Sequence, residues 1–541
     1  MRALFKFFLE DQSQAGIGSK LLKLFVAPEV EESLVLPPAV VPCAKRFNPN
    51  YFYFCGGNLP IKEASKHGLV VGTTSSGKSI AVMKPLTRSL IGRVKRNLRR
   101  GFGERILIFD FKNDMLPLLA DFGLTPENGG VVILNAFDSR GYEWDIAEAV
   151  QQPARAWGLC YLIVIKEPNS TAPYFSDAAR ILIFAVILSL NANFGADWQF
   201  RDLIHCLQNA RTIIAIVSRN RESAEMALTI LRDNKHARAV VASLATKIQP
   251  FRQVAALWAN NKNGRKFSIR EFLKKPGVLV LGYDPIMKES WIPILELFLR
   301  CYTDEVLRGP ETLEPTNHFV FDEYTSMVKF DKDKTIIDLL ELGRSKGACV
   351  TLGIQSIAAL VEIYKEAGAN RILSLLANKM LLRLGDPQSA EWCERYIGKR
   401  RQMEDSYSIS WGKNGCSSSV STSLQDRPLM LSTYFMDLPF PDAGKGFCAV
   451  CDVPSEGKVI LLQQPFEEIL SWKAKTPRED GSNRISDPKL QLLTPWTKAE
   501  RERFTPPAPK KPKPGERKEE KAKPYLPRRK KQDDPNQLKF L

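Results

Sequence analysis
The stretch "HGLVVGTTSSGKSI", His67 to Ile80, places a Gly-x-x-x-x-Gly-Lys-Ser pattern directly behind a short apolar run. Gly72, Thr73, Thr74, Ser75, Ser76, Gly77, Lys78 and Ser79 form the eight positions of a P-loop. A phosphate chain must approach the main chain closely there, and the helix expected to begin near Lys78 presents its positive end to it. Lys78 is the residue expected to reach the β- and γ-phosphates of ATP, and Ser79 to ligate Mg²⁺. Leu69 to Val71 reads as the strand before the loop, and "KSIAVMKPLTRSLIGRVKRNL" as a helix with one apolar side after it.

A P-loop does not separate a kinase from a switch or a motor, so the rest of the site must be found. "HFVFDEYTSM" is an apolar run ending in Asp322-Glu323. That is the form of a strand whose first acid holds Mg²⁺ through water and whose second polarises an attacking water. Two acids in tandem favour hydrolysis over phosphoryl transfer to a small molecule.

Around these two segments, "RILIFDFKND", "GVVILNAFD", "PGVLVLGYD" and "CVTLGIQ" read as strands ending in polar residues and separated by helices. The fold class is therefore α/β with a mostly parallel sheet, whose ligands gather at the carboxyl ends of the strands. Asp110 and Lys112 fall near the nucleotide, either touching it or capping the strand end. Ahead of the P-loop, "NYFYFCGGNLPI" reads as a hairpin around Gly56-Gly57. From 144 to 272 the apolar spacing changes to three and four residues, the mark of an all-α insertion. The expected organisation is an N-terminal arm over 1–50, a P-loop domain over 51–143 and 273–470, the insertion over 144–272, and a basic, Pro-rich disordered tail over 471–541. Arg344 stands in the turn before "CVTLGIQ" and Gln355 at its end, so both are candidates for the γ-phosphate end of a nucleotide, one of them in a neighbouring subunit.

The chain has 541 residues and a net charge of +17, and 14 Lys/Arg against 6 Asp/Glu fall between Arg501 and Leu541. Such a balance suits an anionic partner, with any DNA contact made to phosphates. The ten cysteines are scattered and read as free thiols. Cys448-x-x-Cys451 has no second pair, and the four histidines are spread singly, so no metal is expected beyond Mg²⁺. The apolar runs "WGLCYLIVI" and "ILIFAVILSL" span about half a bilayer core and read as buried helices.

Taken together, "GGNLPIKEASKHGLVVGTTSSGKS", "ILIFDFKND", "PYFSDAARILIFAVILSL", "FVFDEYTSM", "LLELGRSKGACVTLGIQSIAAL" and "SISWGKNGCSSSVSTSLQDRPLMLSTYFMDLP" make the chain resemble the type IV secretion coupling proteins, the VirD4/TraG/TraD family of conjugative DNA-transfer ATPases. The FtsK/HerA DNA pumps are more distantly similar. The resemblance implies a RecA-like motor domain carrying an all-α domain, assembled as a homo-hexamer around DNA. Such a motor hydrolyses ATP to drive relaxase-bound single-stranded DNA towards a type IV secretion channel. It further implies that Arg344 is an arginine finger acting on the neighbour's ATP and that Gln355 senses the γ-phosphate. The family usually begins with transmembrane helices; none is evident here, which points to a cytoplasmic protein, or one peripheral at the inner membrane through a separate membrane partner. Ser75 replaces a frequent Gly; if that position needs φ > 0, Ser costs about 1 kcal/mol. The competing expectations are an ATP-binding adaptor that delivers cargo with little turnover, and an FtsK/HerA-like pump for duplex DNA.

Overall fold
The structure is a computed structural model. It describes residues 51–505 apart from 99–103, 165–172, 233, 262–263, 328–334, 413–414, 456 and 479–480. The expected N-terminal arm over 1–50 and the basic run from 506 lie outside the described residues.

The strands in chain order are β1 (Tyr51–Phe54), β2 (Gly57–Pro60), β3 (Gly68–Val71), β4 (Arg105–Asp110), β5 (Val132–Leu134), β6 (Glu143–Trp144), β7 (Lys266–Phe267), β8 (Gly277–Gly282), β9 (Thr312–Phe321), β10 (Lys346–Ile354), β11 (Asn378–Leu381), β12 (Lys399–Gly412), β13 (Gly415–Pro428), β14 (Phe447–Val453) and β15 (Lys458–Gln464). A nine-stranded sheet has the order β15-β14-β11-β3-β10-β9-β4-β8-β5. From β11 to β5 every pairing is parallel, and β14 and β15 add an antiparallel edge. The central strands are apolar on both faces because both are covered: Leu69, Val70, Val71, Ile106, Ile108, Val320 and Leu352 are all buried. The register pairs Val71 with Ile354 and Phe321 with Leu352, so β3, β10 and β9 end at one edge of the sheet. The expected hairpin is β1 with β2, turning through Cys55 and Gly56, both at positive φ.

Between β6 and β7, which pair with each other, the described chain is helical. Pro173–Phe194 is the central helix, packed by Pro153–Ile163, Arg221–Leu231 and Asn234–Ile248. Its stretch Tyr174–Phe194 is long and apolar enough to cross a membrane, with 56% of that window buried inside the protein. Arg180 within it is buried and donates to the Val164 carbonyl. "HARAVVASLATKIQPFRQVAALWAN" divides into helices Asn234–Ile248 and Phe251–Ala259 at Pro250, which cannot continue the ladder.

Over its first part the region from 471 differs from the expected disordered tail. The main-chain N–H groups of Lys475 and Thr476 donate to Asp121, Arg484 pairs with Asp284 at 2.7 Å, and Asn260 donates to the Leu490 carbonyl. The described residues of 475–478 and 481–494 thus form a strap from the sheet to the helical block, where the Thr494 carbonyl meets His205. The strap is held by side chains gripping main-chain groups, which leaves no apolar periodicity in its own sequence. Beyond Pro495 lies a second unit, whose helix Lys498–Phe504 opens with a capping box of Thr497 and Glu500.

Two buried histidines tie the sheet's amino-terminal side to pH. His67 donates from Nε2 to the Leu340 carbonyl and accepts the Val350 N–H at Nδ1, both at 3.1 Å. Burial, opposed by the Leu340 carbonyl and aided by Arg344, pushes its pKa down to about 4. Burial, with Arg93 and Arg105 nearby, pushes His318 down to about 3. A folded-state pKa below the unfolded value of ~6.5 gives stability that is present above pH ~6.5 and is lost as pH falls towards the folded pKa. Thermal unfolding between pH 6.5 and 5 is expected to show this loss at up to ~1.4 kcal/mol per pH unit for each histidine. His67→Gln should flatten the profile, and an unchanged slope in that variant would remove His67 as a cause.

Candidate nucleotide site
The site begins where β3 ends. The Gly72 N–H bonds the Ile354 carbonyl and the Thr73 N–H bonds the Arg383 carbonyl, so the loop is pinned to strands on both sides of β3. A Cβ on Gly72 would stand 2.5 Å from Ser76 Oγ and 2.8 Å from Leu382 Cβ, which explains glycine there. Ser75 at φ 66° and Gly77 at φ 92° flank Ser76, an alternation of hand that turns successive N–H groups towards one point. Ser76 Oγ is buried and has no hydrogen-bond partner among the described residues. The following helix opens as a π-helix, Lys78–Met83, and becomes α-helical from Lys84. Pro85, with no N–H to give to the turn before it, stands at that junction.

Ser75 is therefore in the left-handed region, which disfavours a side chain by roughly 1–2 kcal/mol. Ser75→Gly is expected to raise unfolding stability by about 1 kcal/mol, with nucleotide affinity unchanged, as read by denaturant unfolding beside an ADP titration.

The carboxyl end of β9 supplies the acids. Asp322 and Glu323 are 1% and 2% exposed. Lys78 Nζ lies 2.6 Å from Glu323 Oε2, and Thr325 Oγ1 donates to Glu323 Oε1 at 3.0 Å. Ser79 Oγ donates to Asp322, 3.1 and 3.0 Å from its two oxygens. Burial pushes the Asp322 carboxyl up, opposed by the ammonium groups of Lys112 and Lys78 and by Ser79. The two halves of the site, far apart in sequence, thus meet as one cluster.

Asp110 and Lys112 part company. Asp110 accepts the N–H groups of Asp114 and Met115 and so caps the end of β4. Burial, reinforced by the charge of Asp114, pushes its carboxyl up to about 7. Lys112 reaches into the site, its Nζ 2.8 Å from Ser79 Oγ and 3.9 Å from Asp322 Oδ2. Gln355 follows β10 directly, exposed, on the same edge as Gly72 and Asp322. Arg344 is not brought to this cluster. It lies exposed in the 3-10 turn Gly343–Ser345 ahead of the nine-residue β10, about 30 Å along the strand from its carboxyl end.

The residues present fit a nucleotide with Mg²⁺. The orphaned Ser76 hydroxyl and the turned backbone suit phosphate oxygens, and Ser79 with Asp322 makes a hard oxygen pair of the kind Mg²⁺ takes. Two contacts had no legible signal in the sequence: Thr325 on Glu323, and Arg478 of the strap donating to the Lys112 carbonyl.

Residues 53–453 match the family model described as the type IV secretion-system coupling protein DNA-binding domain. The chain is 23% identical over 395 residues to the coupling protein TraD of Escherichia coli (strain K12), covering 71% of this chain and 51% of TraD. It therefore spans about half the length of that relative. Among solved structures, the conjugative coupling protein TrwB in its unbound monoclinic form superposes with a TM-score of 0.58 at 18% identity, over 78% of this chain and 89% of that one. TrwB in complex with ADP and Mg²⁺ does so with a TM-score of 0.57 at 17% identity, over 81% and 91%. These structural likenesses establish the shared fold.

Proposed function
This chain belongs to the type IV secretion-system coupling proteins, and on that premise we propose that it is an ATP-hydrolysing motor that recruits a relaxase–DNA complex and drives single-stranded DNA towards a secretion channel. The observation that carries the reading is the meeting of Lys78 with Glu323 and of Ser79 with Asp322 at the carboxyl edge of the sheet. A nucleotide-binding switch needs the lysine, the serine and the first acid. A second buried acid beside them is what hydrolysis needs, because it can orient and deprotonate a water.

In this proposal the loop from Gly72 to Ser79 cradles the phosphates and Lys78 turns from Glu323 to the β- and γ-phosphates. Mg²⁺, held by Ser79 and through water by Asp322, supplies charge neutralisation on the phosphates. Glu323, released by Lys78, accepts a proton from the attacking water. Gln355 reads the terminal phosphate from the end of β10. Arg344, remote from its own P-loop, serves the site of a neighbouring copy in a homo-hexamer. The assembly works in the cytoplasm, peripheral to the inner membrane through a separate membrane partner. TrwB has been solved with ADP and Mg²⁺ and with a non-hydrolysable ATP analogue, which supports ATP and Mg²⁺ as the ligands here.

The test is ATP turnover by the purified protein with and without single-stranded DNA. A motor is expected to hydrolyse several-fold faster on the strand. Turnover that stays at background with single-stranded and duplex DNA alike, in protein that binds ATP, would sink the motor reading and favour a recruitment adaptor.

A further inference from the structure
Lys112 stands where a divalent cation has to stand. Its ammonium donates to Ser79 Oγ at 2.8 Å and lies 3.9 Å from Asp322 Oδ2, and these two side chains are the ones that fit the metal. Ser79 Oγ meanwhile donates to Asp322, so the lone pair offered to Lys112 is the one a metal ion would take.

The placement is built from both sides. The turn after β4 is closed by Asp110, which takes the N–H groups of Asp114 and Met115. Asn113 sits at φ 52° with its amide on the Tyr283 carbonyl, and Arg478 donates to the carbonyl of Lys112 itself. The backbone at Lys112 is thus held while its side chain, 43% exposed, is free to swing without opening the core. Asp322, at 2% side-chain exposure, is the opposite case: it cannot move to water and needs a cation beside it.

We infer that Lys112 and Mg²⁺ compete for the Ser79–Asp322 seat, so that Lys112 makes metal binding conditional on the nucleotide. One carboxylate neutralised by one ammonium offers a lone divalent ion little. A metal arriving with phosphate oxygens brings its own extra ligands and displaces the lysine, whose ammonium stays within a side chain's length of the phosphates. The site then closes only around the complete metal–nucleotide pair. This inference rests on the nucleotide-site reading above and deepens it.

The experiment titrates Mn²⁺ into the full chain and follows the free ion by electron paramagnetic resonance, first without and then with ADP. Lys112→Met is expected to bind Mn²⁺ at least ten-fold more tightly than wild type in the absence of ADP, with a much smaller gain in its presence. Lys112→Arg should behave as wild type, and adding Asp322→Asn to Lys112→Met should erase the gain. Lys84→Met is the control for charge alone, since Lys84 pairs with Asp114 at 2.8 Å near the same strand ends. Equal Mn²⁺ affinity in wild type and Lys112→Met overturns the inference, as does an equal gain in Lys84→Met. Failure of wild type to bind ADP would count against the nucleotide reading instead, and the ADP-free titration would still decide the role of Lys112.

Discussion

Glu323→Gln is expected to lower ATP turnover by roughly 10²- to 10³-fold while leaving ATP affinity intact. The amide removes the base and keeps the shape. It also keeps an acceptor for Lys78, whose Nζ lies 2.6 Å from Glu323 Oε2 with both side chains buried. That choice matters, because truncating one member of a buried ion pair leaves a bare charge and costs about 3–5 kcal/mol. Glu323→Ala would therefore mix a folding defect with a chemical one. Steady-state hydrolysis, binding of a fluorescent ATP analogue and a melting curve together separate the two effects. Wild-type turnover in Glu323→Gln would remove Glu323 as the base and return the site to a binding role.

Arg344→Ala is expected to lose turnover by 10³-fold or more, the scale of an arginine finger, with no change in ADP affinity or melting temperature. In the proposed hexamer the effect is exerted between copies. Arg344 is exposed, its guanidinium makes no hydrogen bond or ion pair among the described residues, and it precedes a strand whose far end meets the P-loop. Mixing supplies the decisive arm. Arg344→Ala keeps an intact Lys78–Glu323 cluster, and Glu323→Gln keeps an intact finger. Equal mixing of two silent variants should restore about a quarter of wild-type turnover, because about a quarter of the interfaces then join a good cluster to a good arginine. Silent singles with no recovery on mixing would rule out action between copies, and an active Arg344→Ala would rule out the finger.

The two residues flanking β10 show where sequence reading reaches and where it stops. Both Arg344 and Gln355 were legible as bracketing one strand, and a strand's length alone puts its ends on opposite edges of a sheet. Which edge carried the P-loop depended on β10 pairing parallel to β3, with Ile354 opposite Val71. Lys112 was a harder case. Its place after β4 was legible, but its reach depended on β4 lying directly beside β9, although about 200 residues including the helical block separate them in the chain. The strap over 475–494 was not legible at all. Polar, Pro-containing sequence folds there because Asp121, Asp284 and Asn260 offer fixed partners for its main chain and for Arg484, and a partner supplied by another segment leaves no mark in local composition.

What this sequence determined by itself is the chemistry of short segments. Gly72, Gly77 and the strained Ser75 answer to the backbone of one loop; the apolar runs of β3, β4, β9 and β10 answer to burial on both faces; the apolar spacing of the insertion answers to the helical period. Each leaves a pattern readable within a few residues of the chain, even where a distant segment such as Leu382 beside Gly72 supplies the contact. Tertiary structure alone decided that Lys78 rests on a carboxylate 245 positions away, that Lys112 lies on Ser79 and that Arg344 faces outward. Those outcomes are fixed by the order and register of strands in the sheet, and register is a property of pairing between distant segments. Fixed edges then bring charge to charge across a few ångströms, where electrostatics in a buried site is strong enough to govern the chemistry.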